Sequence, residues 1–300
     1  MTSGPAPCNG ISWNQFNSVP PRAVTASTML ESEIGMDSSF SQLGSPSGLP
    51  GASPRPANLP QIESIDLKAR YHSARCGGDF FDAVAIDSRV VFLLTDIAGR
   101  RPETQPIAVN LQNVFRTRAQ DLFQHADANE SDGIALLARD INRSLIDAAQ
   151  GVRFAPTFLG CYNLSLNILT YHYAGHLLAV FHDTGKARVL EPDGIPLGLF
   201  THSTYEPAHL AFHRHARLLL VTKGITESRR GSTTLRDERI RHLLEYSITD
   251  SASRICDDVL QVAYDFENHP WSRLYDFLRP RSQRYRDDLT AVALVRRSDT

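Results

Sequence analysis

Gly77-Gly78-Asp79-Phe80-Phe81-Asp82 and Thr95-Asp96-Ile97-Ala98-Gly99 are two acid-bearing turns, the second at the end of an apolar run, Val90 to Leu94, that reads as a strand. A third, Arg286-Asp287-Asp288-Leu289-Thr290, introduces the last apolar run. A fourth, Thr222-Lys223-Gly224-Ile225-Thr226-Glu227, carries a lysine where another acid would complete the set. Carboxylates at strand ends, once a fold gathers them, are what hard divalent cations such as Mg²⁺ or Mn²⁺ require, because these ions take oxygen ligands and retain several waters. Three of the turns thus point to metal-assisted hydrolysis, and the fourth interrupts the pattern.

Outward from these turns, alternating apolar residues predict strands over Ile62 to His72, Asp82 to Ile86 and Val90 to Leu94. Ile107, Leu111, Val114, Phe115 and Leu122, then Ile134, Leu137, Ile141 and Leu145, recur at helical spacing and predict two amphipathic helices. Short strands follow at Pro156 to Leu164, Leu169 to Ala174 and Leu177 to His182, with a hairpin turn at Asp183-Thr184-Gly185-Lys186, a strand at Val189 to Glu191 and another at Arg217 to Thr222. Helical segments over Thr234 to Glu245 and Ser251 to Asn268 precede a buried strand at Thr290 to Val295. Strands in antiparallel runs with segregated helices describe an α+β layered domain.

Residues 1–60 are rich in Pro, Ser and Gly and lack either hydrophobic period, so they are expected to form a disordered tail ahead of one domain at 61–300. A formal net charge of −2 and scattered basic residues supply no electrostatic footprint for nucleic acid or an anionic membrane. Cys8, Cys76, Cys161 and Cys256 lie far apart and read as reduced thiols; with no leader-like segment and no long apolar run, the expected location is the cytoplasm.

The turns, together with Ala174-Gly175-His176 and Gly194-Ile195-Pro196-Leu197-Gly198, stand in an order and spacing that resembles the SpoIIE-like branch of the PPM-type (2C-type) metal-dependent Ser/Thr protein phosphatases, over about Ile62 to Arg297. The resemblance implies a four-layer α-β-β-α sandwich with two antiparallel sheets and a two-metal site on one edge. It implies that Asp96 bridges two Mn²⁺ or Mg²⁺ ions, that the Ile97 carbonyl and Asp287 are further ligands, and that Asp79 lies in the shell of the ion opposite Asp287. It also implies a phosphorylated regulatory protein as partner, of the anti-sigma antagonist kind.

Several residues have a plain reading beside the functional one. Asp82 reads as a structural carboxylate, and at least one of Phe80 and Phe81 as core. Arg75 is a candidate for bidentate phosphate binding, with a solvated surface arginine as the alternative. His176 reads as a hydrogen-bonded structural histidine, Cys76 as a packing residue, and His213 and His215 as surface residues.

Lys223 stands where the family carries an aspartate ligand. An ammonium about 4 Å from a divalent ion meets roughly 8 kcal/mol of repulsion at an effective dielectric near 20, so lysine and ion do not share the site. Either Lys223 turns outward beside a weakened metal site, or its ammonium replaces a cation and pairs with Asp96 and Asp287. Arg100-Arg101-Pro102, where the family usually has a second glycine, is expected to stiffen or block the adjacent loop. Three functions follow: a phosphoserine/phosphothreonine phosphatase impaired at Lys223, a catalytically inactive pseudophosphatase that binds a phosphoprotein, and a hydrolase of small phosphate esters.

Overall fold

The computed structural model describes residues 59–72, 78–151, 153–175, 177–230, 233–247, 249–267 and 287–297. The expected tail up to residue 58, Arg75, Cys76 and His176 lie outside them.

Two five-stranded antiparallel sheets carry the architecture. One contains β1 (Ile65–His72), β12 (Leu289–Arg296), β9 (Arg217–Val221), β6 (Leu178–Asp183) and β7 (Lys186–Val189), hydrogen-bonded in that order. The other runs β2 (Asp79–Ile86), β3 (Arg89–Asp96), β4 (Thr157–Asn163), β5 (Ile168–Ala174) and β8 (Ala208–Ala211). A two-stranded ribbon, β10 (Arg229–Arg230) with β11 (Thr233–Thr234), stands apart from both.

Strand parity builds the layers. On β3, Val90, Phe92 and Leu94 enter the core between the sheets, whereas Val91 and Leu93 face α1 (Arg101–Phe123) and α2 (Glu130–Ala149). On β9, Leu218 and Leu220 join the same central core, while Leu219 and Val221 face the far side with α4 (Asp237–Tyr246) and α5 (Ala252–Glu267). Both faces of each central strand are therefore apolar, as in any strand covered twice. The expected four-layer α-β-β-α sandwich is what forms. Among the described residues, no helix is long and apolar enough to cross a membrane.

Boundaries moved where local chemistry was stronger than periodicity. β2 starts at Asp79, ahead of the expected Asp82, because Phe80 packs under the helices and Phe81 between the sheets, an alternation that extends the strand to its first acid. α1 starts at Arg101, ahead of Ile107, the first residue of its predicted apolar face, since Pro102 fits the first helical turn and Glu103 sits at the positive end of the helix dipole. The hairpin closes through Thr184 and Gly185, both at positive φ, so β7 begins at Lys186 and ends at Val189. β8 gave no signal in the sequence: Ala-His-Leu-Ala lacks the β-branched and aromatic residues that mark a strand.

Candidate active site

All four turns meet at one end of the sandwich. Asp79, the first residue of β2, is the register partner of Asp96, the last residue of β3. Both share the parity of the residues that fill the space between the sheets, so both carboxylates are directed toward the opposite sheet. There, Thr222 follows β9 and Thr290 lies in β12, on that sheet's inward parity. Asp79 Oδ2 accepts hydrogen bonds from Thr222 Oγ1 at 2.7 Å and Thr290 Oγ1 at 2.5 Å. Thr222 Oγ1 in turn accepts from the Thr290 backbone N–H at 3.2 Å. A buried carboxylate on one sheet is thus fastened to two hydroxyls on the other.

Two glycines allow the approach. A Cβ on Gly78 would collide with the Ile97 carbonyl oxygen and stand 3.2 Å from Asp96 Oδ1, so the bare Cα leaves both oxygens open to the same space. Ile97 N–H donates to the Gly78 carbonyl at 2.8 Å, which continues the β2–β3 pairing past Asp96 and fixes the direction of the Ile97 carbonyl. A Cβ on Gly224 would collide with the Asp288 carbonyl and lie 3.3 Å from Asp287 Cβ. The lysine-bearing turn therefore packs directly on the Asp287-Asp288 pair.

The electrostatics record an excess of acid. Burial, and then the neighbouring Asp96, hold the Asp79 carboxyl well above the usual carboxylate range, against the two threonine hydrogen bonds. Asp96 is pushed up to about 6, first by burial and then by Asp287, while Lys223 acts in the opposite direction. Asp287 is exposed and its Oδ1 accepts from the Asp288 N–H at 3.1 Å.

Lys223 takes the outward course of the two expected. Its Nζ pairs with Glu227 Oε1 at 3.4 Å within the single-turn helix α3 (Lys223–Thr226) and its cap, and the side chain is 52 % exposed. Its charge nevertheless reaches Asp96. Arg101 is drawn into the site and not merely laid over the loop: its Nη2 donates to Tyr71 Oη at 2.5 Å, stands 3.6 Å from Asp288 Oδ2, and Tyr71 Oη donates to that same oxygen at 2.8 Å. The loop itself is braced by Arg153, which donates to the Ala98 carbonyl at 2.8 Å and to Glu103 Oε2 at 2.7 Å.

The sequence-predicted Asp79, Asp96, Ile97, Asp287 and Lys223 are therefore brought together. Thr222, Thr290, Asp288 and Tyr71 were not singled out, and Arg101 was read only as an obstruction, although all but Tyr71 lie in the quoted turns or beside them; counting parity back from the β9 and β12 core residues would have found both threonines. Asp82 is a structural carboxylate, fully buried, with Arg116 Nε at 2.7 Å, Arg116 Nη2 at 3.0 Å and Gln112 Nε2 at 3.2 Å. His213 and His215 are exposed and pair with Asp183 and Asp250.

Among the described residues, no group of three or more His, Cys, Asp and Glu side chains is arranged to hold a metal ion unaided. The oxygen set that fits a hard cation is mixed: the Asp96 carboxylate and Ile97 carbonyl around the Gly78 clearance, with Asp79 opposite. Lys223, on the facing turn, is a cation and adds no oxygen to this set.

The profile of the family described as stage II sporulation protein E (SpoIIE) matches residues 86–297. The phosphoserine phosphatase RsbU of Bacillus subtilis (strain 168) is 23 % identical over 218 residues, which cover 70 % of this chain and 62 % of RsbU. The chain thus spans under two thirds of that relative. The structure of the PP2C phosphatase domain of SpoIIE from Bacillus subtilis with a fragment of its regulatory domain superposes with a TM-score of 0.58 at 14 % identity, over 79 % of this chain and 63 % of that one. RsbX in complex with magnesium gives 0.54 at 14 % identity, over 79 % of this chain and 98 % of RsbX.

Proposed function

Because the chain belongs to the SpoIIE family, a family of PPM-type serine phosphatase domains, we propose that it hydrolyses phosphoserine or phosphothreonine on a regulatory protein, with one divalent cation where the family resemblance implies two. The observation that carries this reading is the gathering of Asp79, Asp96 and Asp287 at one edge with two of their carboxyls pushed upward, a charge excess that a bound cation would relieve. Asp96, the Ile97 carbonyl and Asp79 would hold Mn²⁺ or Mg²⁺, and Asp287 would face it from the turn that leads into β12. When bound, the ion supplies an activated water and neutralises charge on the phosphoryl group.

The chain's own residues do the rest. The two threonines keep Asp79 fixed, so the acid edge is formed before substrate arrives. Lys223, on its short helix, offers an ammonium in place of a second ion: released from Glu227, it donates to a phosphoryl oxygen as the water oxygen adds to phosphorus and the seryl oxygen departs with a proton. A single lysine stabilises less developing charge than a divalent ion, so turnover is reduced relative to a two-metal site. Arg75 is kept as a phosphate-binding candidate. The partner proposed is a phosphorylated regulatory protein of the anti-sigma antagonist kind, met in the cytoplasm.

One observation favours a second reading, a pseudophosphatase that binds a phosphoprotein without cleaving it: the oxygen cage is incomplete on the Lys223 side. Calorimetric titration with Mn²⁺, paired with assays on p-nitrophenyl phosphate and a phosphoserine peptide, separates the readings. The phosphatase binds Mn²⁺ below millimolar, loses that heat in Asp96→Asn and turns over both substrates. The pseudophosphatase shows neither heat nor turnover. Lys223→Asp is expected to raise Mn²⁺ affinity by about tenfold, or ~1.4 kcal/mol, and to raise the rate with it; turnover at the full two-metal rate that ignores Lys223 would overturn the role given to the lysine.

A further inference from the structure

Among the described residues, seven large hydrophobic side chains are exposed, and four of them fall on two adjoining segments: Phe154 at 41 %, Ile195 at 47 %, Leu199 at 45 % and Phe200 at 59 %. The segments are joined by an antiparallel bridge in which Ala155 N–H donates to the Leu197 carbonyl at 2.8 Å and Leu197 N–H to the Ala155 carbonyl at 3.0 Å. On its other side the Phe154 segment lies along the acid loop, since Asp96 N–H donates to the Pro156 carbonyl and Ala98 N–H to the Phe154 carbonyl, each at 3.0 Å. Phe154 and Ile195 therefore lie on segments that neighbour the Asp96 loop in turn, and Leu199 and Phe200 follow the turn at Gly198.

This surface is built stiff. Asn142, buried on α2, donates from Nδ2 to the Phe200 carbonyl at 3.0 Å and accepts the Gly198 N–H at 2.7 Å. Gly198 has φ of 90°, a conformation that turns the chain back over α2, and a Cβ there would crowd Leu145 and the Arg153 carbonyl. A loop that holds Leu199 and Phe200 in water on so firm a support is shaped to contact something.

We propose that Ile195, Leu199 and Phe200, with Phe154, form a docking platform for an apolar side chain of the phosphoprotein substrate, placed about three residues from the phosphorylated serine or threonine. The spacing is that of the Ile195 segment, which lies two interstrand steps, about 10 Å, from the Asp96 loop, a distance that about three extended residues span; Leu199 and Phe200 continue from it past the Gly198 turn. Continuity with the acid loop favours a partner whose phosphate enters that site over a second copy of the chain. This inference rests on the phosphatase reading for what sits in the acid site, but its test does not depend on cleavage.

The probes are two phosphoserine peptides that differ only three residues to either side of the phosphoserine, with Leu in one and Ser in the other. On the full chain with Mn²⁺, kcat/KM is expected to favour the Leu peptide by about tenfold, the range for burying part of one leucine. On full-length Asp96→Asn, fluorescence anisotropy should show the same preference in binding. Leu199→Ser and Phe200→Ser, made separately, should each bring the ratio to about twofold or less; the ratio is internal to each protein, so a general loss of activity does not mimic the result. No preference in the parent chain, or a preference that survives both variants, overturns the proposal. Should the variants instead abolish a concentration-dependent dimer in light scattering and leave the peptide ratio intact, the platform is a self-association face and the proposal falls. Anisotropy preference without any turnover keeps the platform and removes the hydrolytic reading; turnover without preference does the reverse.

Discussion

Asp79 and Asp82 sit three residues apart on one strand, both buried, and the protein treats them in opposite ways. Asp82 faces the helices and is neutralised: Arg116 reaches it with two nitrogens and Gln112 with a third. Asp79 faces the other sheet and, among the described residues, accepts from two neutral hydroxyls, with Asp96 the charged neighbour that weighs most on it. Burying an unpaired charge is costly, so the arginine marks where charge serves the fold and its absence marks where charge is held ready for a ligand.

The comparison breaks first at Arg116. Arg116→Ala leaves Asp82 buried and unpaired, and urea denaturation is expected to show a loss of about 3–5 kcal/mol, the cost of orphaning a buried ion. If the loss is under about 1 kcal/mol, Asp82 is not the structural member of the pair.

Asp96→Asn tests the other kind of site, and the sign is opposite. A carboxyl raised from an ordinary value near 3.8 to about 6 binds its proton more tightly in the folded state. Its contribution is present in full below pH about 4 and is lost as pH rises through about 6. Without metal, Asp96→Asn is therefore expected to be more stable than the parent at pH 7.5 by up to about 3 kcal/mol, with the difference closing at pH 4. Thermal melts across that range measure it, and saturating Mn²⁺ should raise the parent and not the variant. A variant that melts below the metal-free parent at pH 7.5 would remove the claim of an unrelieved acid edge.

The smallest effect concerns the hydroxyls. Thr290→Val deletes one donor to a charged acceptor and keeps the shape, for an expected loss of about 1.5–2 kcal/mol in the metal-free protein. A loss below about 0.5 kcal/mol would show that Thr222 alone supports Asp79.

The layered fold was legible because strands covered on both faces read as continuous apolar runs, and amphipathic helices keep a 3.6 period. The site's acids were legible because several acid-bearing turns recur in the order and spacing of a known family; a glycine pair before a single aspartate reads by itself as a tight turn. Less visible were the groups whose meaning depends on a partner far along the chain. Thr222 and Thr290 are ordinary strand residues until Asp79 stands opposite them, 143 and 211 positions away in sequence. Arg101 looked like an obstruction beside a missing glycine, because no local rule says that its guanidinium will reach Tyr71, 30 residues earlier, and thence Asp288. The direction of Lys223 was left open by the sequence, since both a solvent-side glutamate and an acid pair lay within its reach.

One oxygen atom, Asp79 Oδ2, clasps the two sheets at the mouth of the sandwich, and that gives the position two masters. A descendant chain that abandons chemistry gains nothing by neutralising residue 79 alone, because two hydroxyls would be stranded across the gap. Losses at 79, 222 and 290 are therefore expected to travel together among relatives, and a lineage that keeps all three while varying residue 223 is retuning its reactivity on an unaltered frame.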